Sequence, residues 1–146
     1  MNPNELPRRE ADKWLREAAK DLHAAKLLLT PKDPEPSRSL FHIQQAAEKA
    51  AKAFLAFRNV PFRKTHDLDE LGKQCAELDP GLAPLFSEAA ELTDYASAFR
   101  YPNAPYEPDV EEAARSLQVA EKVCAEVRRR VEAPNEPESA ADGKVE

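Results

Sequence analysis

The chain has 146 residues, which is enough for one domain to bury a hydrophobic core without disulfides or metal ions. The 21 basic and 27 acidic residues give a formal net charge of -6, which argues against a protein that binds nucleic acid through its overall charge. A local basic patch or a nucleotide pocket is compatible with this balance. Because the sequence has neither a membrane-length apolar run nor a signal-peptide stretch, we expect a cytoplasmic protein without a membrane segment.

Glycine and proline usage indicates helices separated by loops. Only 3 glycines occur beside 42% apolar residues, which leaves little turn chemistry for a β-sheet protein. The 13 prolines fall between periodic segments or at the termini, where they do not interrupt a helix. We therefore predict an all-α domain of about five helices over residues 1–133.

The first two predicted helices are defined by apolar residues at steps of three and four. The first covers residues 9–29 and ends before Pro31. The second begins at Pro36 or Ser37 and continues to about Arg58, and its alanine-rich middle allows close packing of another helix. The predicted core positions are Trp14, Ala18, Leu22, Ala25 and Leu29 in the first helix, and Leu40, Ile43, Ala47, Ala50 and Phe54 in the second.

Three further helices are predicted downstream. The third begins near Asp67, which has capping-box spacing to Glu70, and ends before a Pro-Gly pair. The fourth covers about residues 82–100, and a proline-rich loop follows it. The fifth begins after Asp109, its predicted cap. The predicted core positions are Leu85, Ala89, Leu92, Ala96 and Phe99 in the fourth helix, and Val110, Ala113, Leu117, Ala120, Cys124, Val127 and Val131 in the fifth.

The end of the chain and the two cysteines are interpreted without a functional role. Residues 134–146 carry four acids and one lysine and almost no apolar residues, so we predict a disordered acidic C-terminal tail. Cys75 and Cys124 are isolated and lack metal-ligand spacing, which favours buried thiols. We expect no metal ion and no cofactor.

Three stretches resemble the HEPN family (higher eukaryote and prokaryote nucleotide-binding domain). They are AKDLHAAKLLL at residues 19–29, FHIQQAAEKAAKAFL at 41–55 with the following KTHDL, and LTDYASAFRYP at 92–102. Their order and spacing match the family over roughly residues 10–130. The resemblance implies an up-and-down helical bundle that forms a homodimer. It also implies a nucleotide- or RNA-related role beside a small nucleotidyltransferase, often as a toxin–antitoxin system.

The resemblance also indicates where catalysis would lie. In the catalytically active branch of the family, an arginine is followed four to six residues later by a histidine, and the pair cleaves RNA without a metal. The arginine steadies the phosphate and the histidine moves the proton of the attacking 2′-hydroxyl. Arg100 lies in the matching region, but residues 101–106 contain no histidine. We therefore assign no catalytic residue for this mechanism.

The nucleotide-binding candidates are residues that would line a cleft beside Arg100. Lys49 or Lys52 of the second helix would bind a phosphate as a point charge. Lys52 is also four residues after Glu48, which is the spacing of a helix ion pair. Tyr95 and Tyr101, in the stretch that contains Arg100, would stack on a base or else pack at a dimer interface. These candidates are Lys49, Lys52, Tyr95, Arg100 and Tyr101.

The three histidines are the first residues to consider as an alternative base. His66 would cap the third helix or bridge the preceding loop, and it would otherwise lie in a pocket near Arg100. His23 and His42 are interpreted as structural or solvated side chains.

Three functions are compatible with these residues. The leading hypothesis is a non-enzymatic nucleotide- or RNA-binding or interaction module that works beside a nucleotidyltransferase. The second is a divergent metal-independent RNase that uses Arg100 with His66 or a tyrosine. The third is a structural dimerisation domain. Dimerisation has a modest sequence argument, because apolar patterning such as residues 27–29, three adjacent leucines, exposes more apolar surface than one small bundle covers.

Overall fold

The computed structural model describes residue 3, residues 5–98 and residues 108–133, and for residues 92–98 it describes the backbone alone. Within these residues the protein is helical and contains no strand, which confirms the predicted all-α class. The five α-helices are α1 (Glu5–Leu27), α2 (Pro36–Phe57), α3 (Leu68–Leu78), α4 (Ala83–Ala98) and α5 (Val110–Glu132), and a short 3-10 turn, Pro80–Leu82, precedes α4.

Helix α2 is the central element of the bundle and packs against each of the other four helices. Its predicted core positions are all buried, from Leu40 to Phe54. Several further small side chains on α2, including Ala46, Ala51 and Ala53, are fully buried. Because alanine brings helix backbones close together, this composition explains how one helix contacts four neighbours.

The four long helices alternate in direction. At the start of α1 the Arg8 guanidinium lies 5.5 Å from the ring centroid of Phe57, at the end of α2. Arg8 also donates a hydrogen bond to the carbonyl of Val131, at the end of α5. Helix α4 follows Asp79, whose carboxylate is 2.6 Å from Nε of Arg130 near the end of α5. Thus α1 and α4 run antiparallel to α2 and α5, as in an up-and-down bundle.

Side-chain caps fix the starts of α3 and α5, as the spacing predicts. The Asp67 carboxylate accepts a hydrogen bond from the backbone N–H of Glu70 at 3.2 Å. At α5, Asp109 accepts from the N–H of Glu112 at 2.8 Å, and Glu112 accepts in return from the N–H of Asp109 at 3.0 Å. This reciprocal pair is a complete capping box.

The boundaries and burial of some elements differ from the prediction. Helix α1 begins at Glu5, before Pro7, because a proline in the first helical turn gives up only an N–H that has no intrahelical acceptor. The most deeply buried face of α1 is centred on Leu15, whereas Trp14 is only partly buried. Val110 is 37% exposed, so its predicted core position is wrong; it is the first residue of α5, where the helix has not yet reached the bundle interior.

The predictions for the two cysteines, for membrane segments and for the C-terminal tail are compared with the structure next. Both cysteines are buried, which confirms the prediction of buried thiols, and burial raises the pKa of the Cys75 thiol and of the Cys124 thiol to about 12. None of the described helices has the length and hydrophobicity needed to cross a membrane. The predicted tail, residues 134–146, lies outside the described residues, as do the side chains of three predicted core positions, Leu92, Ala96 and Phe99.

Arg130 ties the end of α5 to the turn between α3 and α4. It contacts Asp79 and Glu126, each at 2.6 Å. Burial alone would raise the pKa of Asp79, but the hydrogen bond and charge of Arg130 outweigh this and lower it below its usual value of 3.8. Hydrogen bonds from Arg129 and Arg130 also lower the pKa of Glu126. A carboxyl group with a lowered pKa stabilises the folded state above its unfolded pKa, and this contribution is lost as the pH falls.

We expect Arg130→Met to lower the free energy of unfolding at neutral pH by about 1–2 kcal/mol, since it removes hydrogen bonds between charged, partly buried groups. The difference from wild type should shrink as the pH falls through and below the usual Asp value of 3.8. Urea unfolding at several pH values measures this. Arg129→Met is the matched control, because Arg129 is 66% exposed and contacts Glu126, and it should cost much less. A pH-independent difference for Arg130→Met would contradict the prediction.

Candidate functional site

A carboxylate is buried at the middle of the central helix. Glu48 is 1% exposed, although most glutamates in folded proteins face solvent. It lies three and seven residues before Ala51 and Leu55, two fully buried residues, so the helical register turns its side chain towards the interior. The fold therefore places a negative charge where it needs specific partners.

Two groups bind one oxygen of this carboxylate. Nδ1 of His66 lies 2.7 Å from Glu48 Oε2, and Nζ of Lys52 lies 3.3 Å from the same oxygen. The predicted ion pair between Glu48 and Lys52 is thus confirmed, but it is buried, and His66 shares it. Among the described residues no group donates a hydrogen bond to the other oxygen, Oε1.

His66 reaches Glu48 because the loop over residues 58–67, between α2 and α3, is anchored at several points. Asn59 has φ = 60°, a left-handed conformation that asparagine tolerates, and it turns the chain after α2. The ring of Phe62 packs edge-on against Trp14 of α1, with ring centroids 6.3 Å apart. Asp67 then caps α3. His66 therefore lies between two anchored residues of the loop, Phe62 and Asp67.

The imidazole of His66 is oriented but open to solvent. Its side chain is 78% exposed, while its partner Glu48 is buried. Since an ionised carboxylate only accepts hydrogen bonds, Nδ1 carries the proton that His66 donates to it. The neutral ring therefore presents Nε2 as an acceptor, and the protonated ring presents it as a donor. Either form suits a polar ligand that approaches from solvent.

The same loop carries a local excess of positive charge. Arg58, Arg63 and Lys64 are all exposed, and Asp67 is the only acidic residue in the segment. The guanidinium of Arg63 makes two hydrogen bonds to the Glu70 carboxylate, at 2.9 and 2.6 Å. Arg58 lies over the ring of Phe54 at the end of α2, which leaves Lys64 as the less engaged cation of the loop.

The two predicted phosphate-binding lysines of α2 face different carboxylates. Nζ of Lys52 lies 5.3 Å from the ring centroid of Trp14, and its side chain is only 10% exposed. Nζ of Lys49 contacts Asp21 at 2.7 Å and its side chain is 23% exposed. The structure does not bring their ammonium groups together in one open cleft. Of the other candidates, Arg100 and Tyr101 lie outside the described residues, as does the side chain of Tyr95.

Asp21 forms a second cluster between α1 and α2. Its Oδ1 lies 2.8 Å from Nδ1 of His42, and its Oδ2 lies 2.7 Å from Nζ of Lys49. Both oxygens of this carboxylate thus have partners. The arrangement confirms a structural interpretation of His42, since it joins the two helices. His23, in contrast, is simply exposed on α1.

A shallow groove of about 430 Å³ lies between α1 and α5, with an apolar floor that includes Leu15 and Leu22. Its charged rim is already paired within the chain. The rim pairs are Glu121 with Lys26, Arg128 with Glu132, and Arg129 with Glu126. Within the described part of the chain, no cluster of three or more His, Cys, Asp or Glu side chains is arranged to hold a metal ion. The Glu48 and His66 pair is therefore the best candidate site.

The sequence analysis did not identify Asp21 and Glu48 as buried carboxylates, although their positions in the helical pattern indicate it. Asp21 lies three residues after Ala18 and four before Ala25, so it occupies the apolar stripe of α1. Glu48 lies in register with buried residues of α2 in the same way. A carboxylate at a core position of a helix indicates a buried polar cluster. The identity of its partners depends on the tertiary fold.

Glu48 and His66 should differ sharply in their contribution to stability. Glu48→Ala leaves the ammonium of Lys52 buried without a carboxylate, and we expect a loss of about 3–5 kcal/mol in the free energy of unfolding. His66→Ala removes an exposed partner and should cost less than about 1 kcal/mol. Urea unfolding of both variants measures the difference. The double variant Glu48→Gln/Lys52→Met should recover most of the loss, and equal costs for the two single variants would refute this account.

Comparison with known proteins agrees with the fold. The chain matches the family model described as the HEPN domain over residues 11–130, which include most of α1 and all of α2, α3 and α4. No curated protein and no solved structure gives a significant match. A family match of this extent supports, in general terms, a nucleotide- or RNA-related module. The chain therefore belongs to the HEPN family.

Proposed function

We propose that this chain is a non-enzymatic binding module that holds a phosphate group of a nucleotide or of an RNA at His66. One observation carries the proposal: an imidazole that is 78% exposed is fixed through Nδ1 by a carboxylate that is almost fully buried. A side chain held in this way loses little conformational entropy when it binds a ligand. Its loop also contains cationic side chains, which favour an anion.

The charges around His66 suit a phosphate better than a cation or an apolar ligand. Lys52 offsets the charge of Glu48 within the protein, so the buried carboxylate does not repel an anion at full strength. Lys64 precedes His66 by two residues and is exposed. A lysine binds phosphate as a point charge, and a protonated imidazole adds a directed hydrogen bond from Nε2. Through the family resemblance, Tyr95, Arg100 and Tyr101 stay part of this proposal as further contacts.

We extend the proposal to the assembly in which the module works. This extension rests on the family resemblance, because the exposed leucines Leu6 and Leu27 lie at opposite ends of α1 and do not form one apolar patch. The family resemblance supports a homodimer that pairs with a small nucleotidyltransferase in a toxin–antitoxin-like system. Sedimentation of the purified chain tests the dimer, and co-purification with a nucleotidyltransferase encoded beside it tests the partner.

The binding module makes a prediction about exposed residues. With a labelled single-stranded RNA and fluorescence anisotropy, Lys64→Ala and His66→Ala should each weaken binding by about 5-fold, as expected for one lost phosphate contact. Lys64→Ala should also reduce the slope of log affinity against log salt by about 1. The same changes at exposed positions elsewhere, Lys73→Ala on α3 and His23→Ala on α1, are the matched controls.

The controls decide whether the contact is local. Equal losses at Lys64 and Lys73 would show that the RNA senses only overall charge. Absence of any RNA or nucleotide binding by the wild-type chain would overturn the proposal.

A second candidate function is a metal-independent RNase that uses His66 as its base. It is favoured by the contact between Glu48 and His66, because a carboxylate that binds one imidazole nitrogen orients the other for proton transfer. Nε2 would take the proton of a 2′-hydroxyl, whose oxygen attacks phosphorus and displaces the 5′-oxygen. The products are a 2′,3′-cyclic phosphate and a 5′-hydroxyl, which takes its proton from solvent. Arg100 would steady the phosphate, on the family resemblance.

Incubation of structured and single-stranded RNA with EDTA separates the two candidates. As a binding module, the wild-type chain should leave the RNA intact. Cleavage by wild type that disappears in both Arg100→Ala and His66→Ala would instead establish the RNase. His42→Ala is the matched control, since His42 also binds a carboxylate but belongs to the Asp21 cluster. Cleavage that survives His66→Ala would assign the activity to another base.

A further inference from the structure

The positive charge beside His66 is compact. Within the described residues, Lys64 is the cation of the loop over residues 58–67 that engages neither a carboxylate nor an aromatic ring. The chain as a whole has a net charge of -6, which opposes the approach of a long polyanion. The site therefore suits a ligand that concentrates its negative charge in one group, rather than a tract of nucleic-acid backbone.

Lys64 and His66 project from one short, anchored segment. Two residues along a chain span at most about 7 Å between Cα atoms, so one phosphate group is within reach of both side chains. Between them, the Thr65 hydroxyl oxygen accepts a hydrogen bond from the backbone N–H of Asp67 at 3.0 Å, which fixes the backbone on either side of His66. The Asp67 carboxylate is held at the start of α3, where it accepts from the N–H of Glu70.

The fixed imidazole distinguishes two classes of phosphate. Glu48 accepts the N–H of Nδ1, so Nε2 is the nitrogen left for a ligand. An internal phosphodiester carries a single charge and no proton, so it forms a hydrogen bond only with the protonated ring. A terminal phosphomonoester has a second pKa of about 6. It therefore pairs with Nε2 in both states of the ring, because the dianion accepts from the protonated ring and the monoanion donates to the neutral ring.

We propose that Lys64 and His66 form a subsite for a terminal phosphomonoester, the group carried by a phosphorylated RNA end or by a mononucleotide, and that they discriminate against internal phosphodiesters. This inference rests on the proposed function and adds the kind of phosphate to it. Lys64 interacts as a point charge with the additional negative charge that a diester lacks. Because the His66 side chain is 78% exposed, a chain end reaches it from solvent without an enclosing pocket.

Fluorescence anisotropy with three single-stranded RNAs of one sequence, labelled at the 3′ end and compared at one salt concentration, tests the subsite. Their 5′ ends carry a phosphate, the methyl ester of that phosphate, or a hydroxyl. The methyl ester keeps phosphorus in place but makes it a diester. Wild type should bind the phosphorylated RNA at least about 10-fold more tightly than either of the others.

Variants at exposed positions locate this preference. His66→Ala and Lys64→Ala should each reduce it to less than about 3-fold. The matched controls, His23→Ala and Lys73→Ala, should retain it. Competition identifies the source of the group: displacement of the phosphorylated RNA by AMP but not by adenosine supports a mononucleotide. Displacement only by an unlabelled RNA with a 5′- or 3′-phosphate supports the corresponding RNA end.

The outcomes separate this inference from the function on which it rests. Equal affinity of wild type for the three RNAs would overturn the terminal-phosphate subsite, and phosphate binding at His66 would stand if His66→Ala weakened all three alike. Failure of wild type to bind any RNA or nucleotide would overturn both. A preference for the phosphorylated RNA that survives in both His66→Ala and Lys64→Ala would place its binding site elsewhere on the chain, and would also overturn the inference.

Discussion

The buried carboxylate of Glu48 is the constraint on which the candidate site depends. An isolated carboxylate in a low-dielectric interior costs several kcal/mol, so it persists only with close partners. Lys52 supplies the compensating charge from the same helix, and Trp14 of α1 lies against its ammonium. His66 supplies a hydrogen bond from the following loop. One charge on α2 thereby fixes the relative positions of α1, α2 and the loop before α3.

The two carboxylate clusters show how a structural group differs from a candidate site. Asp21 and Glu48 each bind one histidine and one lysine, and each of the two carboxylates is buried. At Asp21 the histidine side chain is 33% exposed and both carboxylate oxygens are used. At Glu48 the histidine is 78% exposed and one oxygen has no donor among the described residues. The first cluster is complete, whereas the second leaves one buried oxygen without a described donor and presents its imidazole to solvent.

Much of the fold follows from local sequence, and the candidate site does not. The stripe of α2 and the caps at Asp67 and Asp109 are local patterns, so spacing alone predicts them. The ion pair of Glu48 with Lys52 is equally local. The contact between His66 and Glu48 spans 18 residues and a non-helical loop, and it requires the turn at Asn59 and the packing of Phe62. No periodicity encodes such a contact, so only the fold reveals it.

Membership in the HEPN family constrains the function less than it constrains the fold. The family's RNase chemistry needs a histidine soon after the arginine of the fourth helix, and residues 101–106 of this chain have none. The described bundle instead presents a carboxylate-bound imidazole from a different loop, the one between α2 and α3. A histidine in that position has the orientation needed for proton transfer, but orientation alone does not supply a second group to stabilise the transition state. The exposed cations of that loop suit an anionic ligand, so we propose binding ahead of cleavage.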